Sequence, residues 1–177
     1  MKDRIRKRTK YLTLCAMLCA LGVIILALGA FIEVLDISVA VIASLLCVYA
    51  VIEMGGGYPW LVYAVTAVLS VLLLPQKTPA LFYALFAGYY PILKERIERL
   101  RRPLGLPIKL AIFHVALGAM VAVALLFFPG SLPIKEQLWY FAALYVLGVA
   151  CFILYDIALS RLISFYLFRL RNRFRIK

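Results

Sequence analysis

Charge is scarce in this chain, and acidic charge is the scarcest. Asp, Glu, Lys and Arg make up 16% of the 177 residues, and only 8 of them are acidic against 20 basic. Hydrophobic residues make up 66%, with a mean hydropathy of +1.01, whereas soluble domains are roughly 45–50% apolar. The apolar residues form blocks of about 20, the length of a membrane-spanning helix. The composition therefore predicts an integral membrane protein.

The basic residues lie between the apolar blocks, where they act as topology determinants and contact anionic lipid headgroups. Binding to nucleic acid is not expected from this distribution. The first apolar segment follows the basic stretch MKDRIRKRTK. It is longer than the hydrophobic region of a signal peptide, which is about 7–15 residues. We therefore expect it to be an uncleaved first span.

Motifs for catalysis are missing from the sequence. It has no GxxxxGK[ST] phosphate loop, no GxSxG nucleophile elbow and no HExxH, so neither an enzyme nor a bound cofactor is expected. Cys15 and Cys19 share a helix face, but no His or carboxylate near them in sequence completes a metal set, so no metal is expected. Any energised activity must take its energy from a partner.

The apolar pattern predicts an all-α polytopic protein, a single six-helix transmembrane domain followed by a basic interfacial helix at residues 158–177. Pro79 and Pro107 suit the first turn of a helix, where a missing N–H costs little. Pro91 is expected to kink the fourth span, which then continues into water as a charged arm from Lys94 onward. The spans are predicted at residues 11–32, 34–53, 58–74, 79–100, 107–128 and 136–157.

Charge asymmetry predicts the orientation. With six spans and a cytoplasmic N-terminus, only Lys77 and Lys135 of the 20 basic residues lie outside. This is the positive-inside pattern, with both termini cytoplasmic. We expect a multi-pass protein of a bacterial-type plasma membrane, with anionic lipids of the inner leaflet as contacts.

Aromatic and polar residues meet at the predicted outer ends of the spans. A few polar groups among aromatic faces are typical of a small-molecule pocket, although interfacial aromatic belts and solvated turns give the same pattern. The candidate substrate-binding residues are Glu33, Asp36, Gln76, Lys77, Tyr83, Trp139 and Tyr140.

The predicted centre of the membrane holds no carboxylate, lysine or arginine, which argues against a proton-coupled pump. His114 is expected in the inner half of span five, and Asp156 near the inner interface. Glu53 falls at the inner turn between spans two and three, where Gly55–Gly57 supply a left-handed helix end. Either a structural or a functional role fits each of the three. Glu53 is expected to meet the arginines of the next inner loop or a partner's arginine.

Small residues recur at four-residue spacing, a pattern that lets membrane helices approach closely. The first helix carries Ala16 and Ala20 in LTLCAMLCALG. Such a face serves either internal packing or a partner surface. Together with Glu53 and the arm residues Arg96 and Arg99, these alanines are the candidate partner contacts.

Six short spans, cytoplasmic termini, no ATPase motif and the AxxxA face resemble the substrate-binding S components of energy-coupling factor transporters. The resemblance covers the whole chain as topology. It implies a vitamin or similar micronutrient bound toward the outer side, a transmembrane coupling subunit that docks on Ala16 and Ala20, and partner ATPases.

Two other roles also fit the sequence. A non-transporting membrane scaffold of the cell envelope, similar to the rod-shape-determining membrane proteins, would use the charged inner arm as its partner contact. A small flippase or lipid-binding protein would instead show lipid in a lateral groove, and polar residues that face lipid would support this role.

Overall fold

A computed structural model describes residues 2–32, 35–98, 102–127 and 138–166. All of the regular elements in these ranges are helical, which confirms the predicted class. The helices are α1 (Lys2–Phe31), α2 (Asp36–Glu53), α3 (Tyr58–Leu73), α4 (Thr78–Phe82), a π-helical segment (Tyr83–Ala87), α5 (Tyr90–Glu98), α6 (Arg102–Phe127) and α7 (Leu138–Phe165).

Three stretches of the described chain are long and apolar enough to cross a membrane: Ile5–Phe31, Asp36–Glu53 and Ala142–Phe165. Two shorter apolar helical stretches, Tyr58–Leu73 and Pro107–Val123, fall below that length. These helices are compatible with a membrane protein. The six-span count and the orientation remain predictions.

The turn between α2 and α3 has the left-handed glycine conformation that the sequence predicts. The backbone N–H groups of Met54 and Gly55 both donate to the carbonyl of Ala50, each at 3.1 Å. Gly55 and Gly56 have φ angles of +59° and +61°, the left-handed conformation that glycine adopts without steric cost. Pro59 lies in the first turn of α3, so the chain reverses within a few residues.

The fourth predicted span is broken. In the π-helical segment the N–H of Gly88 donates to the carbonyl of Tyr83 at 2.8 Å, five residues back instead of four. The Tyr63 hydroxyl donates to the carbonyl of Ala84 at 2.7 Å, so a carbonyl displaced from the regular pattern still has a partner. The helix resumes at Tyr90, directly before Pro91, so the helix is interrupted just before the proline at which a kink was expected.

Small residues set the spacing of the helices in the core. A Cβ added at Gly22 would lie 2.9 Å from Cγ2 of Thr66, so α1 and α3 approach closely at that point. Thr66 and Ser70 share a face of α3 and are both buried. Small residues on facing helices permit such close packing in an apolar environment.

Two details differ from the sequence-based expectations. Pro107 lies inside α6 and not in a first turn, because the helix begins five residues earlier at Arg102. Pro79 does lie in the first turn of α4, as expected. In addition, α7 runs through Asp156 to Phe165 without interruption, so no break in the helix marks the predicted end of span six. Residues 167–177 of the predicted interfacial helix lie outside the described ranges.

The chain was expected to be a single domain, and the structure divides into two compact units, Met1–Val121 and Ala122–Lys177. The first unit contains α1 to α5 and most of α6. Its core is formed by residues of the first four predicted spans, among them Leu26, Ala43, Cys47, Val62 and Tyr83. The second unit contains the end of α6 and α7.

Candidate functional site

Four of the residues that were predicted to form an outer pocket lie in the first unit: Asp36, Gln76, Lys77 and Tyr83. Asp36 is buried in the first turn of α2, where the positive end of the helix dipole favours a carboxylate. The Lys77 ammonium donates to the carbonyl of Val71 at 2.7 Å and to that of Leu74 at 2.5 Å. Lys77 therefore satisfies carbonyls at the end of α3, and Gln76 beside it is half-buried.

Tyr83 is a core residue. Only 1% of it is exposed, and its hydroxyl lies 3.1 Å from Sγ of Cys47. Its ring centroid lies 6.1 Å from that of Tyr63. A ligand would reach this hydroxyl only after the side chains around it had rearranged.

The remaining pocket candidates are Glu33, Trp139 and Tyr140. Trp139 is in the second unit and is 83% exposed. Glu33 and the side chain of Tyr140 lie outside the described residues. The structure therefore places Asp36, Gln76, Lys77 and Tyr83 in one unit, and the full expected set remains a prediction.

The first helix has two distinct faces. Cys15, Leu18, Cys19 and Leu26 on one face are buried in the core. Ala16 and Ala20 lie on the other face and are exposed. The predicted AxxxA face therefore does not serve packing within the described part of the chain.

A groove of about 250 Å³ opens where α2 ends and α3 begins. The left-handed turn and one side of α5 form its walls, and the guanidinium carbon of Arg96 lies 5.8 Å from the ring centroid of Trp60. A cation over an indole face is attracted by the ring quadrupole. Lining residues include Val51, Gly55, Pro59, Ile92, Glu95 and Arg96.

The expectation that the chain enters water at Lys94 is wrong for Lys94 itself. This side chain is 0% exposed, and its ammonium lies 3.0 Å from a carboxylate oxygen of Glu98, one turn further along α5. The same oxygen lies 3.1 Å from the ammonium of Lys109 on α6. The carboxylate of Glu98 offsets the free-energy cost of burying the Lys94 cation. Because the same carboxylate also contacts Lys109, these ion pairs link α5 to α6.

The other ionisable candidates are Glu53, His114 and Asp156. Glu53 is half-buried as the last residue of α2. Arg99 of the next inner loop lies outside the described residues, and the pairing of Glu53 with the arginines of that loop, or with a partner's arginine, remains a prediction. His114 is exposed, and its Nδ1 lies 2.7 Å from the carbonyl of Leu110 one turn earlier. Asp156 is half-buried, and its backbone carbonyl accepts a hydrogen bond from Ser160 at 3.0 Å.

In the described part of the chain, no group of three or more His, Cys, Asp or Glu side chains is placed to hold a metal ion. Sequence reasoning did not find the groove or the Lys94–Glu98–Lys109 contact, because both depend on how α5 packs against other elements. The three consecutive glycines at 55–57 and the pair Lys94 and Glu98 at four-residue spacing were their sequence signals. No known family model, curated protein or solved structure matches the chain.

Proposed function

We propose that this protein is a multi-pass membrane subunit that works in a complex, as the substrate-binding module of a micronutrient uptake transporter energised by partner ATPases. The proposal is supported by the two faces of α1. One face packs into the core, while Ala16 and Ala20 remain exposed on a helix long and apolar enough to span a membrane. In lipid, an exposed ridge of small residues favours close approach of another helix.

A transmembrane coupling subunit is the partner that fits this surface in the proposed complex. The groove beside Gly55 and Arg96 lies at the end of the unit that the predicted topology places in the cytoplasm. The substrate would bind toward the opposite end, near Asp36 and Lys77. Binding there requires rearrangement, since Lys77 already contacts two carbonyls.

One observation favours a second candidate, a non-transporting scaffold of the cell envelope. Tyr83, the most deeply placed of the pocket candidates, is packed and hydrogen-bonded in the core. By contrast, the described groove lies at the predicted cytoplasmic end, where a scaffold would meet its partners. In this case Arg96 and Glu95 would contact a cytoplasmic or membrane protein, with no substrate involved.

Co-purification from mild detergent separates the two candidates. A transporter module is expected to recover nucleotide-binding ATPase subunits, and a scaffold is expected to recover envelope-synthesis proteins. The double variant Ala16→Leu, Ala20→Leu should lose the ATPase partners while keeping its thermal unfolding midpoint. Ala64→Leu is the matched control, since Ala64 is an exposed alanine on α3.

Mass spectrometry of the purified protein tests the substrate. The transport proposal predicts a vitamin-sized molecule retained by the chain and released on unfolding. Retention of ATPase subunits by the double variant would contradict the docking role of α1. Recovery of envelope-synthesis proteins with no small molecule would support the scaffold.

A further inference from the structure

The groove between the α2–α3 turn and α5 lies at the level where an apolar helix ends. The stretch Asp36–Glu53 is long and apolar enough to cross a membrane. Residues on both sides of its end, Val51 and Gly55 among them, line the groove. The end of a membrane-crossing helix lies among lipid headgroups, whichever side of the membrane it faces. Headgroups are therefore the ligands nearest to this groove.

The lining of the groove has an apolar part and a charged part. Val51, Pro59 and Ile92 supply the apolar part, and Pro59 and Ile92 are buried. Glu95 and Arg96, adjacent residues of α5, supply one negative and one positive charge. A ligand that matches this lining carries both charges and an apolar region.

Arg96 is the cation of the pair, and it suits a phosphate. Its side chain is exposed, and its guanidinium carbon lies 5.8 Å from the ring centroid of Trp60. A guanidinium has five N–H donors, and two of them can bond to one phosphate in parallel. Attraction of the cation to the aromatic face is electrostatic, so it does not use up these donors.

Glu95 is the anion of the pair, and it suits a primary ammonium. This residue is half-buried and already takes part in other interactions. A carboxylate has about four acceptor positions on its two oxygens, so an ammonium can bind beside the existing contacts. A quaternary ammonium has no N–H to donate. The carboxylate therefore favours a headgroup that ends in a primary amine.

We propose that this groove binds the headgroup of phosphatidylethanolamine, with the phosphate on Arg96 and the ammonium on Glu95. Two carbons separate the charges of this headgroup, and the two side chains come from adjacent residues. The apolar lining contacts the glycerol and the first acyl carbons, which is why a lipid fits better than its soluble headgroup. The site does not rest on the proposed transport role, and it can be tested on the purified chain alone.

Native mass spectrometry of the full-length protein in detergent tests the site. The protein is titrated with phosphatidylethanolamine and, separately, with phosphatidylcholine of the same acyl chains. We expect one phosphatidylethanolamine to be retained at concentrations where phosphatidylcholine is not. Water-soluble glycerophosphoethanolamine at the same concentration should not displace it. Displacement would contradict the lipid as the ligand.

Two variants separate the two charges. Arg96→Gln should weaken the retention of both lipids, by roughly 5- to 10-fold, because each lipid loses a charge-assisted bond to its phosphate. Glu95→Gln should remove the preference for phosphatidylethanolamine and leave the retention of phosphatidylcholine unchanged. Arg161→Gln is the matched control, since Arg161 is an exposed arginine on α7, and it should behave as the unaltered protein does.

Tryptophan fluorescence in vesicles leaves the groove unaltered. The chain has two tryptophans, so Trp139→Phe, at a position that is 83% exposed, leaves Trp60 as the only reporter. In equimolar vesicles of the two lipids, Trp60 should be quenched more when the phosphatidylethanolamine is brominated near the glycerol than when the phosphatidylcholine is. Equal quenching would overturn the proposal. Equal retention of the two lipids by the unaltered protein, or retention of neither, would also overturn it and would favour a protein partner in the groove.

Discussion

At the scale of single residues, Tyr63 supports the π-helical segment. Its hydroxyl donates to the carbonyl of Ala84, and its ring packs at 6.0 Å from the rings of both Trp60 and Tyr89. Tyr63→Phe keeps the ring contacts and removes the donor, which should lower the free energy of unfolding by about 1–3 kcal/mol. Denaturant unfolding in detergent, followed by circular dichroism, measures this loss.

Tyr58→Phe is the matched control for Tyr63→Phe. The contact of Tyr58 with Tyr11 is between rings, with centroids 5.4 Å apart, and the substitution keeps both rings. Its free energy of unfolding should change little. An equal loss in the two variants would contradict the role assigned to the Tyr63 hydroxyl.

Gly88 is the second residue on which this segment depends. A Cβ at this position would lie 2.6 Å from the ring of Tyr63 and 2.8 Å from that of Tyr83, and packed aromatic rings have little room to move. Gly88→Ala should destabilise the protein by about 1–3 kcal/mol. Gly118→Ala, on α6 with open space around the added carbon, should stabilise it by up to about 1 kcal/mol through helix propensity. Thermal unfolding of the two variants side by side tests both expectations: the midpoint should fall for Gly88→Ala and should not fall for Gly118→Ala.

At the scale of elements, the turn between α2 and α3 depends on backbone conformation. Gly55→Ala places a side chain at φ +59°, which costs roughly 1–2 kcal/mol. Gly57→Ala is the matched control, because Gly57 has φ −92° and nothing within 4 Å of an added Cβ. The unfolding midpoint should fall for the first variant only. A fall of similar size in both would indicate that the turn is sensitive to side-chain bulk and not to φ.

The elements that the sequence predicts best are those whose signals are local. The ends of α2 and α3 were expected within two residues of their observed positions, because glycine, proline and the change of hydropathy act within a single turn. The start of α6 was not, since Pro107 is tolerated inside the helix. The π-helical segment could not be predicted either, because the hydroxyl that supports it belongs to another helix.

At the scale of the whole molecule, the candidate sites depend on how the helices pack against one another, which local sequence signals do not show. The sequence left open whether Ala16 and Ala20 pack internally or face a partner, because their four-residue spacing fits both; their exposure is seen only in the structure. The burial of Lys94 and of Tyr83 requires knowing which helices pack against α5 and the π-helical segment. The contact of Cys15 Sγ with Met54 Sδ at 3.7 Å likewise depends on α1 meeting the end of α2.

Membrane topology is the prediction that belongs to the whole chain. A cytoplasm-active reporter fused after Lys177, and separately before Met1, should be active in both positions, because the predicted six-span arrangement puts all but two of the 20 basic residues on the cytoplasmic side. A periplasm-active reporter at either terminus should be inactive. A result in which the two termini lie on opposite sides would exclude a six-span arrangement.

The central claim is that the exposed small-residue face of α1 binds another membrane subunit. Photo-crosslinking in intact membranes tests it most directly, with a photoreactive amino acid in place of Ala16 or Ala20 and, as the control, of Ala64 on α3. The account predicts that positions 16 and 20 cross-link to one and the same membrane protein, in a complex that contains ATPase subunits, and that position 64 does not. Cross-links to lipid alone at positions 16 and 20, or the same protein captured from all three positions, would contradict it.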